Sequence, residues 1–239
     1  EDEAANVYAA IQAISSRLKE DQITVVGNGS ACVVGGHAYE MKKGQRFISN
    51  SAIASMGYDL PAVIGACMAA HDPEFEGDGY SQHDIILLTV EGSSQMNLQE
   101  LQTIIHHKMP VKIFLINNGG YHSIRQTQKN FFGEPLIGIG VDSGDLGFPS
   151  MEKLAWAYGF PYVAIHGNKE LGEKVEETLA MDGPVICEVF VTLDQNFEPK
   201  SAAKRLPDGT LVSPPLEDLS PFLPDEEMDR IMLIPRIKK

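Results

Sequence analysis

The stretch DIILLTV-EGSS-QMNLQELQTIIHH-KMP-VKIFLI-NNGGY, residues 84 to 121, decides the fold. Asp84 to Val90 is a short run without polar alternation, the pattern of a strand covered on both faces. From Gln95 to His107 the apolar residues Leu98, Leu101, Ile104 and Ile105 recur at helix spacing. Val111 to Ile116 repeats the buried-strand pattern. A strand, a helix and a second strand in this order read as a β-α-β unit with parallel strands.

The same rhythm extends in both directions. Val7 to Leu18 reads as a helix and Ile23 to Val26 as a strand ending at Gly27-Asn28-Gly29. Ser51 to Ala70 contains a helical stretch rich in small residues, with Pro61 near its start. Glu74 to His83 reads as a polar loop. Met151 to Tyr158 and Leu171 to Met181 read as helices, Tyr162 to Ile165 and Val185 to Val191 as strands. The expected architecture is an α/β domain over residues 1–193, a mostly parallel sheet with helices on both faces. Prolines at 199, 207, 214, 215, 221, 224 and 235 mark residues 194–239 as an extended tail that packs on the domain or covers its site. Ligands of such sheets sit beyond the carboxyl ends of the strands, which puts Gly27, Glu91 and Asn117 at one crevice.

Composition narrows the partners. A hydrophobic share of 43% supports a sizeable core, and a formal charge of −14 disfavours nucleic acid and anionic membranes. No apolar run approaches a membrane span. Cys32, Cys67 and Cys187 are far apart, with no CxxC pair, and read as buried thiols of a reducing compartment, the cytoplasm. The acidic start, Glu1-Asp2-Glu3, is no signal peptide, and the missing initial Met suggests a piece of a longer polypeptide.

In a chain this acidic, an anionic ligand has to be met locally, by backbone N–H groups and a cation. Strand 84–90 runs straight into Glu91-Gly92-Ser93-Ser94 and a helix, an arrangement that suits a phosphate. Glu91 would repel a bare phosphate, so a divalent cation between them makes the pairing sensible. The next strand delivers Asn117-Asn118-Gly119-Gly120-Tyr121 beside it, a source of amide and carbonyl oxygens, the hard ligands that Mg²⁺ takes.

These segments resemble the thiamine-diphosphate-dependent enzymes, whose signature is Gly-Asp-Gly, a spacer of some two dozen residues, then Asn-Asn. Here Val90-Glu91-Gly92 precedes Asn117-Asn118 by 24 residues, 93 to 116. Ser93-Ser94-Gln95-Met96-Asn97-Leu98-Gln99-Glu100-Leu101, Ala52-Ile53-Ala54-Ser55-Met56-Gly57-Tyr58-Asp59-Leu60-Pro61-Ala62 and Ser123-Ile124-Arg125-Gln126-Thr127-Gln128 look like the acetolactate synthase branch. The resemblance implies a thiamine-diphosphate-binding fold of the C-terminal, pyrophosphate-binding type. It implies Mg²⁺ on Glu91, the Asn118 side chain and the Gly120 carbonyl. Gly92, Ser93, Tyr121 and His122 would donate to the diphosphate, with Asn28, Gly29 and Ser30 as the second diphosphate loop. Met56 would prop the thiamine in its bent form, and Ala54 and Ser55 would line the pyrimidine. The parent enzyme would decarboxylate pyruvate and join the two-carbon unit to a second 2-keto acid. The glutamate that activates the cofactor belongs to a separate pyrimidine-binding domain, of the same parent or a second subunit of a homodimer or tetramer. No segment here resembles that domain, so no catalytic residue is assigned and the chain alone is expected to be inactive.

Two positions depart from the family. Glu91 stands for Asp, so its carboxylate must fold back or the metal must shift, and Val90 stands for Gly. Gly77-Asp78-Gly79 spells the triplet literally but precedes the strand and reads as a surface turn. Gly27-Asn28-Gly29 fails as a dinucleotide fingerprint because Cys32 occupies the third glycine position. His106 and His107 read as exposed at a helix end, and Glu176-Glu177 and Glu226-Glu227 as solvated faces. Two other functions fit less of the pattern: a thiamine-diphosphate lyase or transferase of nucleotide-sugar or polysaccharide metabolism, and a non-catalytic binding or assembly module.

Overall fold

A computed structural model of the chain describes residues 4–72 and 83–236. Gly77-Asp78-Gly79 and nearly all of the loop read over Glu74 to His83 lie outside the described residues.

Helix α1 (Val7–Ser15) starts where the Asn6 side chain accepts the N–H groups of Tyr8 and Ala9, and it buries Val7, Ala10, Ile11 and Ile14. Then follow β1 (Ile23–Val26), α2 (Ser30–Ala38), β2 (Arg46–Ser49) and α3 (Asp59–Ala70). Strand β3 (Ile85–Val90) leads into α4 (Glu91–Ser94), a 3₁₀ turn and α5 (Glu100–His106). Next come β4 (Val111–Asn117), α6 (His122–Phe131), α7 (Met151–Tyr158), β5 (Tyr162–Ile165), α8 (Leu171–Ala180) and β6 (Val185–Phe190). Ser150 caps α7 at one end and left-handed Gly159 closes the other.

Among the described residues these six strands form one sheet in the order β2-β1-β3-β4-β6-β5, and every neighbouring pair is parallel. Side chains of successive strand residues point to opposite faces. Val25, Ile85, Leu87, Ile113 and Leu115 therefore join one core with Leu60 and Val63 of α3, Leu101 and Ile104 of α5 and Ala155 of α7. The alternate residues, among them Ile86, Leu88, Phe114 and Ile116, are equally buried. They face the layer in which α1 contacts both α2 and α8. Lys112 interrupts the run read as continuously apolar. It is fully buried, and its ammonium donates to the carbonyls of Met181 and Gly183 near Asp84.

Four elements of this sheet domain escape the periodicity. Helix α2 carries Gly35 and Gly36 and has no apolar stripe; a Cβ at Gly35 would lie 3.3 Å from the Phe47 ring, a tight contact. Strand β2 is a half-exposed edge. Helix α6 buries His122, Arg125 and Gln126, so its inward face is polar. The helix expected from Gln95 to His107 begins as a 3₁₀ turn over Gln95–Asn97 and becomes α-helical at Glu100.

By internal contacts the chain divides into residues 1–195 and 196–239. The second unit is more than an extended tail. It holds a two-stranded antiparallel ladder, β7 (Lys204–Arg205) with β8 (Leu211–Val212), and helix α9 (Asp225–Ile231). Pro224 and three acidic residues open that helix, a start signal present in the sequence.

Candidate functional site

The order of strands reverses between β1 and β3, since β1 is followed on one side by β2 and on the other by β3. A crevice opens at such a point beyond the strand ends. Here it is a cavity of about 140 Å³, lined by Asn28, Gly29, Ser30, Met56, Val90, Asn118, Gly120, Tyr121, His122, Ser123 and Ile124.

Two helices begin at this cavity. Gly29 precedes α2 with a φ of 63°, and Tyr121 precedes α6, and neither start has a side-chain cap. Uncapped helix starts present free N–H groups and the positive end of the helix dipole, a setting for an anion.

Behind the cavity lies the cation candidate. The Glu91 carboxylate folds back beneath the loop after β4, where Oε1 accepts the N–H groups of Asn118 (3.2 Å) and Gly120 (2.7 Å). Its other oxygen, Oε2, is buried and has no hydrogen-bond partner. Burial pushes the carboxyl up to about 7, against the pull of those backbone N–H groups. A neighbouring cation would favour the ionised form. The Asn118 amide sits between Glu91 Oε1 at 3.2 Å and the Gly120 carbonyl at 2.6 Å. With its oxygen turned that way, three oxygens converge and Nδ2 lies 2.6 Å from Ser30 Oγ. With the amide turned over, Nδ2 donates to Glu91 and Gly120, and Ser30 Oγ donates to the amide oxygen. Neighbouring ligand oxygens of an octahedral Mg²⁺ lie about 2.9 Å apart. The observed separations bracket that edge, and Glu91 Oε2 lacks a partner, so the residues fit a hard cation. Among the described residues no three His, Cys, Asp or Glu side chains form a rival metal cluster.

The other expected residues are placed as follows. Asn28 donates to the Ala54 carbonyl at 2.7 Å, tying the two loops together. Ala54 and Ser55 are exposed outside the cavity lining, with Ala54 at a φ of 55°. Met56 reaches the cavity from a turn before α3, not from the helix. Gly92 lies under the Tyr121 ring, where a Cβ would come within 2.5 Å of the ring. The Ser93 hydroxyl is buried and accepts the Gly57 N–H at 3.0 Å, so it positions the Met56 loop rather than facing the cavity. The Asn117 side chain turns from the crevice to Glu188 at 2.6 Å. His122 is buried, with Nε2 2.6 Å from the Gln195 carbonyl and Nδ1 3.1 Å from Arg125. Burial holds its pKa down, and a neutral ring donating through Nε2 satisfies both bonds.

Two groups were given no role by the sequence reading, although Asp59 and Arg125 stand in segments that carry the resemblance. Asp59 is fully buried under the site, accepting from Thr89, whose hydroxyl also meets Ser94 at 2.7 Å. Desolvation raises its pKa despite the Thr89 bond. Arg125 and Asp142 form a bidentate ion pair behind the Asn118 loop. No spacing pattern announces either.

A parallel sheet whose switch point joins two uncapped helix starts to a cluster of hard oxygens has the features that suit an anionic group beside a hard cation. The family described as thiamine pyrophosphate enzyme, C-terminal TPP binding domain, matches residues 27–189, and the chain belongs to it. It is 33% identical over 160 residues to the acetolactate synthase large subunit of Porphyra purpurea, covering 67% of this chain and 25% of that protein. It is 28% identical over 204 residues to acetolactate synthase 3, chloroplastic, of Brassica napus, covering 82% of this chain and 29% of that protein. A probable acetolactate synthase large subunit of Methanococcus aeolicus is 28% identical over 173 residues, with 72% and 26% covered. The chain thus spans about a quarter of the length of the relatives it matches.

Proposed function

We propose that this chain is the diphosphate-binding part of an acetolactate-synthase-like enzyme. In this reading the enzyme decarboxylates pyruvate and transfers the two-carbon unit to a second 2-keto acid. The observation that carries it is the meeting of two uncapped helix starts at one cavity with the Glu91–Asn118–Gly120 oxygens directly behind it.

Glu91, Asn118 and Gly120 would hold Mg²⁺. The N–H groups that open α2 and α6 would hold the diphosphate, and Met56, Val90 and Ile124 would supply apolar wall. Bound thiamine diphosphate supplies the electron sink for loss of carbon dioxide from a 2-keto acid. The chain's own part is to bind, orient and exclude water. Small-molecule pockets usually measure about 300 to 1,000 Å³. The cavity of about 140 Å³ suits the diphosphate end and leaves the pyrimidine to a second domain. Exposed Ile53, Met96, Ile124 and Val141 support a partner that covers this side. That partner is the pyrimidine-binding domain, and the assembly a cytoplasmic homodimer or tetramer; the three free cysteines accord with a reducing compartment. No helix among the described residues is long and apolar enough to cross a membrane.

Titration calorimetry tests the reading. The purified chain should bind thiamine diphosphate only with Mg²⁺ present, and Asn118→Ala should remove that binding. Cofactor binding indifferent to both Mg²⁺ and Asn118→Ala would sink the assignment. The chain alone should consume no pyruvate; a steady rate of consumption would refute the need for a second domain.

A further inference from the structure

We propose that Arg125 and Asp142 form a positioning pair that sets the affinity of the site for cation and diphosphate, acting through the backbone of residues 118–120. The inference rests on the cofactor reading above. Arg125 is 1% exposed and spends its whole guanidinium on this loop and its brace. Nε and Nη2 donate to the two Asp142 oxygens, each at 2.8 Å. Nη1 donates to the Asn118 carbonyl (3.1 Å) and His122 Nδ1 (3.1 Å), and Nη2 also reaches the Gly119 carbonyl (3.3 Å). One planar fork thus fixes two successive peptide planes of the segment that carries the metal-facing Asn118 amide and Gly120 carbonyl.

The brace is built on a second strand of chain. Gly120 pairs antiparallel with Gly140, Tyr121 donates to the Ile139 carbonyl at 2.7 Å, and Val141 donates to the Gly119 carbonyl at 3.0 Å. A Cβ on Gly120 would lie 2.1 Å from the Ile139 carbonyl and one on Gly140 2.2 Å from the Gly119 carbonyl, with Arg125 Nη2 at 2.9 and 3.0 Å, so both glycines let the two segments close together beside the guanidinium. The segment offering Asp142 is itself knit by Ser143, whose hydroxyl accepts the N–H groups of Ile139 and Gly140. Loss of the carboxylate would leave a buried guanidinium half-partnered, free to shift and to release the two carbonyls it holds. The metal-facing oxygens lie one bond network away. Partners of this kind change metal affinity about 10- to 100-fold.

Asp142→Asn is the informative variant because it keeps shape and removes charge at a side chain that is a quarter exposed. With its circular dichroism unchanged, its calorimetric Kd for thiamine diphosphate at fixed Mg²⁺ should rise about tenfold, and Arg125→Lys should behave alike. Hydrogen exchange without cofactor should quicken at Gly120, Tyr121 and Val141 while β3 and β4 keep their protection. A Kd within twofold of the parent's in folded Asp142→Asn would overturn the pair, as would exchange that is unchanged or quickened uniformly. If the parent chain itself binds no cofactor, the cofactor reading fails, and exchange confined to those three amides still decides for the pair.

Discussion

One methylene separates Glu91 from the aspartate of its family, and a valine precedes it where the family has glycine. Val90 has φ −128° and ψ 157°, an extended conformation that needs no glycine. The strand therefore runs unbroken to its end, and Glu91 turns its carboxylate under the next loop. Gly92 has no such latitude. Gly92→Ala would drive a methyl into the Tyr121 ring and should cost about 1 to 3 kcal/mol in urea unfolding, as overpacking does. Tyr121→Ala in the same chain should recover most of that loss. Asp59 offers a test with pH. Its folded pKa is raised by burial, so the stability it contributes is full below its unfolded value and is lost as pH rises through the folded one. Asp59→Asn removes the titration. Urea unfolding with chelator present should show the parent losing stability relative to Asp59→Asn as pH rises; a constant difference across the series would count against a raised pKa.

Among the elements, β4 shows what a buried-strand pattern conceals. Its run Val111 to Asn117 includes a lysine with no exposed surface, held by two carbonyls at the amino-terminal edge of the sheet. Lys112→Ala would leave those carbonyls unpaired and Asp84 without its cation. It should destabilise the domain by about 3 kcal/mol, measured by thermal or urea unfolding. Elements such as Ile85–Val90 and Met151–Tyr158 were legible because apolar burial writes itself into period and run length, which half-exposed β2 and glycine-bearing α2 lack. Helix α6 was not, because the face it buries is His122, Arg125 and Gln126, residues that serve the site rather than the core. The same distinction divides the site. Glu91 and Asn118 were expected at the site from their places at neighbouring strand ends and from the family resemblance. Ser93 and Asn117 stood in matching positions, but their orientation depends on Gly57 and Glu188, residues remote in sequence.

For the whole chain, ligand and fold are linked. A ligand that binds only the folded form adds about 2.7 kcal/mol at 100 times its Kd. Thiamine diphosphate with Mg²⁺ at that excess should therefore raise the melting temperature, and a chelator should abolish the rise; an equal rise without the cation would disconnect the anion site from the oxygen cluster. The formal charge of −14 should make this dependence sharp, since a net negative chain would repel the diphosphate except where a cation and helix starts gather. The two margins of the sheet carry a further consequence. Both outermost strands, β2 and β5, are only four residues long; Arg46 opens the first, and Pro161 stands just before the second. A foreign extended segment laid along either margin would find few backbone groups to pair with, and at β2 an exposed charge. The sheet can thus be broad and apolar within while offering fibre growth little template at its rim.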